Sequence, residues 1–241
     1  MTVSYAQQFE DVMLWRALKD VSNGAYIDIG ANDPVVDSVS LLFYEKGWRG
    51  MHVEPMPEFA QRLREAREDE EVLEAAVGES DGEIELYSFG GTGLTTSIRQ
   101  HAERHQKDGR AVELIKVPCL PLSKIFERFN RRHVHWLKID VEGMETEVLD
   151  GTRETITKHN PALYVENDRR DKSPGVIECL LTAGYRLFWH IPRLYNADNF
   201  FANAENVFGE TASLNMICLP KNLEQNVTGL SEITSPDDWP I

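Results

Sequence analysis

Four acidic residues close short apolar runs. Asp28 lies in Tyr26-Ile27-Asp28-Ile29, Glu54 follows Met51-His52-Val53, Asp140 follows Trp136-Leu137-Lys138-Ile139, and Glu166 follows Leu163-Tyr164-Val165. Such runs of β-branched, aromatic and leucine residues read as strands buried on both faces of a parallel sheet. Acids at the carboxyl ends of parallel strands converge on one crevice, where open α/β sheets bind ligands. Carboxylates there can accept sugar hydroxyls, move protons or ligate hard cations. Directly after the first run come Gly30 and Ala31, small enough for a ligand to approach the backbone. Taken alone, this stretch fits an ordinary strand-to-loop junction as well as a ligand site.

The turn also restricts the ligand. A dinucleotide fold needs GxGxxG after its first strand to admit a pyrophosphate. Here the turn reads Gly30-Ala31-Asn32-Asp33-Pro34-Val35, without the second and third glycines. That argues against NAD, FAD and NADP, and the absence of GxxxxGK[ST] argues against a P-loop. Glu54, at the end of the second strand, is placed to hold both hydroxyls of a ribose; the bland alternative is a hydrated strand-end carboxylate. A cofactor with a ribose and no phosphates remains, which is S-adenosylmethionine. An NAD-dependent oxidoreductase and a non-catalytic cofactor-binding protein are the rival readings.

The elements that must position these residues follow in order. The spacing of Tyr5, Phe9, Val12, Met13 and Arg16, with a Ser4/Gln7 capping box, predicts a helix over 4–20 with Gln8, Glu10 and Asp11 on its polar side. A helix through Val39, Leu42 and Phe43 ends at Gly47, and Pro57 opens another with Phe59, Leu63 and Ala66 inward. A third strand covers 71–76. Ile84 and Leu86 pair antiparallel with 112–117, on either side of GGTGLTTS and of His101 and His105. That glycine-rich stretch is a flexible loop or a ligand cradle. Later helices carry Leu122, Ile125, Phe126 and Phe129, then Met144 and Val148, then Ile177, Leu180 and Leu181 behind Ser173 and Pro174. Strands over 185–191 and 214–219 are joined by a long loop rich in Asn and Phe. The pattern lapses near Lys221. The chain reads as one domain over 1–220 with a tail over 221–241.

The 241 residues suffice for one α/β domain with a sizeable core. A formal charge of −15 argues against a nucleic-acid partner, which needs a basic face. Cys119, Cys179 and Cys218 lie far apart and suggest neither a zinc site nor a disulfide framework. No signal peptide or membrane span is evident, so a cytoplasmic protein is expected.

SYAQQFEDVML at 4–14, YIDIGAND at 26–33, MHVEPMPEFAQRLREAR at 51–67, GTGLTTS at 91–97 and LKIDVEGMETEVLDG at 137–151 occur in this order. With AAVGESDGEIELY at 75–87 and the block at 196–220, they make the chain resemble the FkbM-type S-adenosylmethionine-dependent methyltransferases. Pro34 departs from that pattern, standing where the family often has a small residue. The resemblance implies a class I methyltransferase fold, a mostly parallel seven-stranded Rossmann-like sheet with a C-terminal antiparallel hairpin and helices on both faces. It implies that Asp28, Gly30 and Asn32 line the methionine part of the cofactor, with Ala31 in the same cofactor-binding turn. Glu54 would hold the ribose, Ala76 and Val77 the adenine, and Asp140 and Glu142 would sit beside the transferring methyl. Gln8 and Asp11 would close over the cofactor. The implied reaction is O-methylation of a hydroxyl on a sugar or specialised metabolite.

A hydroxyl is a poor nucleophile at neutral pH and benefits from a base or a metal. His190, in YRLFWHIP, is either that base or a buried, hydrogen-bonded histidine. Asp140, Glu166 and Asn167, with Asp168 beside them, are either a Mg²⁺ set like that of the catechol-type O-methyltransferases or ordinary strand-end acids with an Asn cap.

Overall fold

The computed structural model describes residues 3–89, 95–96, 106, 111–129, 133–197, 200–202, 204–206, 208–223 and 226–240. The YIDI run forms β1 (Ala25–Ile29), buried along its whole length. Its alternating side chains explain that burial. Ile27 and Ile29 enter a core shared with Met51, Val53, Leu137 and Ile139. Tyr26 enters the opposite core with Phe43, Trp48 and Trp136, and its ring stacks on Trp136 at 4.7 Å. A strand with helices over both faces has no polar side to show, which is why its sequence does not alternate.

The expected parallel neighbours form. β2 (Arg49–Val53) pairs with β1, β3 (Glu71–Leu73) with β2, β8 (Trp136–Ile139) with β1, and β9 (Ala162–Glu166) with β8, all parallel. β10 (Tyr185–His190) and β11 (Asn215–Pro220) make the antiparallel hairpin, with β11 against β9. With β12 (Ser231–Ile233) at one edge, the sheet order is β12-β10-β11-β9-β8-β1-β2-β3. Strand order reverses between β1 and β8, so the crevice opens past the ends of those two strands.

Four helices cover one face: α4 (Leu122–Phe129), α5 (Glu145–Leu149), α6 (Arg153–His159) and α7 (Ser173–Thr182). α1 (Glu10–Leu18) and α2 (Leu41–Glu45) bury Leu14 and Phe43 on the other face. α3 (Pro57–Ala66) follows β2 and buries Phe59, Ala60 and Leu63. A second sheet, β4 (Ala76–Gly78), β7 (Glu113–Pro121), β5 (Gly82–Ser88) and β6 (Thr95–Thr96), stands beside the first. It contains the expected antiparallel pair, with Ile84 opposite Val117 and Leu86 opposite Ile115. The single third strand expected over 71–76 is split: Leu73 ends β3 in the large sheet and Ala76 starts β4 in the small one.

Two expectations change. The helix expected over 4–20 begins only at Glu10, because Phe9 is left-handed with φ 65°. Ser4 makes no capping box; its hydroxyl donates to Asp11 at 2.7 Å. The segment after 220 does not hang free either. β12 (Ser231–Ile233) adds an antiparallel strand beside β10, Ile233 is buried, and Trp239 meets Trp189 edge-on at 5.8 Å. Single apolar anchors among polar residues leave no periodicity to read. Most of GGTGLTTS, together with His101, His105 and Asn199, lies outside the described residues.

Replacing Ile233 by Ala should lower stability by about 2 kcal/mol, the low end for a buried aliphatic truncation at a sheet edge. A urea melt would show a lower midpoint with an unchanged slope. S-adenosylhomocysteine affinity should not move, since β12 lies at the far end of the sheet from β1.

Candidate active site

Past β1 the chain turns in two left-handed steps, Gly30 at φ 73° and Asn32 at φ 52°. Gly30 is needed for a second reason: a Cβ there would lie 1.9 Å from the backbone carbonyl oxygen of Asp140. The turn is tied to β2, with Gly30 N donating to Val53 O at 2.9 Å. Beneath it, the Lys138 ammonium donates to the carbonyl of Gly30 at 2.8 Å and stands 3.0 Å from Asp140 and 3.8 Å from Asp28. Those carboxylates, with Glu10 nearby, hold its pKa above the usual lysine value despite burial, which opposes the rise. Nothing in the run Trp136–Ile139 marks Lys138 as a support for this turn, because its partners Asp28 and Gly30 lie more than a hundred residues away in the chain.

The cleft that results holds about 650 Å³, counting its open mouth, and gathers residues from both halves of the sheet. Gly30, Asn32, Glu54, Ala76, Val77, Asp140 and Glu142 all line it. Pro55, Leu86, Val141 and Met144 line it too, and these the sequence reading did not assign. Leu86 comes from the small sheet, and nothing local in its strand signals that it faces a ligand. Glu54 is buried, with one oxygen accepting from Asn32 N and the other from Met56 N, each at 2.8 Å. Burial pushes its pKa up to about 7 against these hydrogen bonds and the pull of Lys138. Each of its oxygens keeps a second lone pair for a hydroxyl donor.

At the other wall, Glu142 is left-handed (φ 54°) and Gly143 follows at φ 97°. Glu145 folds back from α5 and accepts from Val141 N at 3.2 Å and Gly143 N at 3.1 Å, which fixes this turn. Burial and the adjacent Asp140 push Glu142 up to about 8, with the nearby Arg169 guanidinium opposing. Glu166 is raised well above the usual range by burial and by the same carboxylates.

Several expected residues stand away from the cleft lining. Asp28 is buried in β1, facing Lys138. Ala31 is buried in the turn without lining the cleft. Asp11 turns back to Ser4 Oγ, Tyr5 N and Val12 N, and so braces the N-terminal turn. Gln8 accepts from Asn215 Nδ2 at 2.9 Å, tying that segment to β11. His190 lies on β10, where its Nδ1 meets the Tyr164 hydroxyl at 2.9 Å and burial lowers its pKa to about 4. That is the buried, hydrogen-bonded alternative, outside the cleft.

The Mg²⁺ alternative finds no support. Asn167 turns its amide towards Ser173 Oγ at 3.0 Å and Met216 Sδ at 3.3 Å. Among the described residues no group of three or more His, Cys, Asp or Glu side chains is arranged to hold a metal.

The order β3-β2-β1-β8-β9-β11-β10, with β11 reversed and a ligand cleft past β1, defines a class I methyltransferase sheet. A family profile described as the methyltransferase FkbM domain matches residues 28–187, and the chain belongs to the FkbM methyltransferase family. The family implies S-adenosylmethionine as cofactor. Gly30, which leaves room at the turn, and Glu54, with lone pairs to spare, fit that group.

Among solved structures, the methyltransferase FkbM from Methylobacillus flagellatus KT is 16% identical with a TM-score of 0.49, over 81% of this chain and 43% of that one. This chain therefore spans less than half of that protein. A precorrin-6y C5,15-methyltransferase from Geobacter metallireducens GS-15 is 13% identical (TM-score 0.46), over 87% of this chain and 86% of that one. The C-terminal domain of precorrin-6Y C5,15-methyltransferase from Rhodobacter capsulatus is 8% identical (TM-score 0.41), over 87% and 85%. No curated protein matches this chain. Among the described residues no helix is long and apolar enough to cross a membrane.

Replacing Lys138 by Met leaves the buried Asp28 facing Asp140 with no cation between them. The expected loss is about 3 kcal/mol, as for other broken buried ion pairs, read as a lower urea midpoint at pH 7.

Glu54 gives a pH test. Hydroxyl donors need its ionised form, so ligand affinity should rise with pH through about 7. S-adenosylhomocysteine should bind about tenfold more weakly at pH 6 than at pH 8, following the ionised fraction. Glu54→Gln should bind weakly and lose most of this dependence in calorimetry. For folding the sign is opposite: a raised carboxyl pKa means this group's contribution falls as pH rises from its ordinary 4.5 towards 7.

Proposed function

We propose that this protein transfers a methyl group from S-adenosylmethionine to a hydroxyl of a small-molecule or saccharide acceptor. The convergence of Gly30, Glu54, Ala76, Val77, Asp140 and Glu142 on one cleft carries the reading. In this reading Glu54 accepts the ribose hydroxyls, and Val53, Pro55, Val77 and Leu86 supply apolar walls for the adenine. The Gly30–Asn32 turn faces the methionine part. When bound, S-adenosylmethionine supplies a methyl group already activated on a sulfonium, so the protein's share is orientation and water exclusion.

The hydroxyl needs a proton acceptor, and Glu142 is the group we assign to it. It lines the cleft, and burial with the neighbouring Asp140 raises its pKa to about 8, making it a stronger base than an ordinary carboxylate. Asp140 is neutralised by Lys138 and so is better suited to orienting the acceptor. Glu142 takes the hydroxyl proton as the oxygen attacks, and Arg169, with its Nη2 3.7 Å from Glu142 Oε2, steadies the carboxylate before transfer. A non-glycine residue held left-handed at this point is the kind of local strain that clusters at functional sites.

Calorimetry should show binding of S-adenosylhomocysteine and none of NAD; NAD binding, or no binding of either, would sink the cofactor assignment. With an identified acceptor, Glu142→Gln should lower kcat by about 10²–10⁴, the usual range for a lost general base. S-adenosylhomocysteine affinity should hold.

A further inference from the structure

A second concavity opens on the same edge of the sheet as the cofactor cleft. β10 ends at His190 opposite Asn215, and Asn215 lies opposite Glu166, so the connection between β10 and β11 leaves and re-enters at the carboxyl end of β9. Its stem is braced: Leu194 N donates to Thr211 O at 2.9 Å and Ser213 N to Pro192 O at 3.0 Å. Above the stem, Phe200, Phe201 and Phe208 are 47%, 44% and 42% exposed. Three half-exposed phenylalanines within nine residues are unlike scattered surface apolars and mark a contact surface.

These rings face the N-terminal segment. Tyr5 meets Phe200 edge-on at 4.7 Å, and Phe200 meets Phe201 at 5.1 Å. Ala6 bridges to Asp37, which brings the end of the β1 turn to the groove as well. The groove has a cavity volume of about 470 Å³, within the range of pockets that take drug-sized molecules. Among the described residues the charged side chains lining it are Asp37 and Glu205, and no lysine or arginine is among them. Aromatic faces with carboxylates between them accept neutral or cationic ring systems and repel anions. The loop after β1 joins the two concavities: Asn32 lines the cofactor cleft, and Val36 and Asp37 a few residues on line the groove.

We infer that this groove binds the apolar, ring-bearing body of the methyl acceptor, which is uncharged or cationic, and that Phe200, Phe201 and Phe208 hold it. The inference rests on the methyltransferase reading of the adjoining cleft. Three probes of one shape test it on the full chain with S-adenosylhomocysteine present: 2-naphthalenemethanol, 2-naphthylmethylamine and 2-naphthoate, followed by naphthalene fluorescence. The alcohol and the amine should bind, and naphthoate at least about tenfold more weakly. Phe201→Ala combined with Phe208→Ala should weaken the alcohol by about tenfold, as expected for two lost aromatic contacts. S-adenosylhomocysteine affinity and the melting temperature should stay unchanged.

Equal binding of all three probes, no probe binding, or indifference to the double variant would overturn the inference. So would concentration-dependent dimerisation abolished by Phe201→Ala, which would make a second copy the occupant. Failure of S-adenosylhomocysteine to bind would sink the cofactor reading instead, while the probe titrations would still report on the groove.

Discussion

One buried ammonium holds the two halves of the site together. Lys138 lies on β8 and faces Asp28 on β1 across the point where strand order reverses. Such a point is a natural gap, because the chain leaves each strand in an opposite direction and nothing in the ladder closes it. Lys138 closes it from below by gripping the carbonyl of Gly30 and the carboxylate of Asp140. A buried lysine without partners would lose its proton or unfold its surroundings. Here two carboxylates raise its proton affinity instead, and the geometry of the turn follows from that pairing.

Around this cation the site is acidic, and most of its acids are short of solvent. Glu10, Glu54, Glu142 and Glu145 are each raised to near neutrality, chiefly by burial. Backbone N–H groups then compensate unequally. Glu54 and Glu145 each accept two of them and so act as struts for the turns they join. Glu142 instead faces Arg169 and lines the cleft, and among the described residues no backbone N–H donates to its carboxylate. The four carboxylates therefore differ by how many donors the local backbone aims at each and by how far each opens to the cleft, Glu142 being partly exposed and the others buried.

Much of this was legible in the sequence. The parallel strands announced themselves because burial on both faces forces unbroken apolar runs, and the acids at their ends pointed to one crevice. Gly30, Glu54, Ala76, Val77, Asp140 and Glu142 line one cleft, whereas the strand-end acids Asp28 and Glu166 are not in its lining. What the sequence hid depends on contacts far apart in the chain. Nothing local marks Lys138 as a support until Asp28 is placed opposite it. Asp11 and Gln8 looked like a polar helix face over the cofactor, yet the left-handed Phe9 delays the helix and sends them to Ser4, Tyr5 and Asn215. Asn167 could be read as a metal ligand or as a cap; its amide nitrogen donates to Ser173 and Met216, contacts between β9, α7 and β11 that no local pattern announces. β12 was hidden for the opposite reason, since two apolar anchors carry no period.

The loop after β1 shows how these constraints combine. Pro34 removes a backbone donor at a position where the family often has a small residue, so the loop needs other restraints. Asp33 supplies some by accepting from Val35 N and Val36 N and pairing with Arg62 at 2.9 Å. Arg67, buried beside Glu70, donates to the Pro34 carbonyl at 2.7 Å. Glu70 in turn accepts from Tyr26 on β1, Gly50 N on β2 and the ring of His52. The loop is therefore anchored through α3 and the following turn to the sheet it left. A proline in a turn so tethered costs little, because the unfolded chain it stiffens has less entropy to lose. The departure at Pro34 is compatible with a well-formed site for this reason, and the ligand-facing part of the turn, Gly30 to Asn32, keeps its shape independently through Lys138 and Glu54.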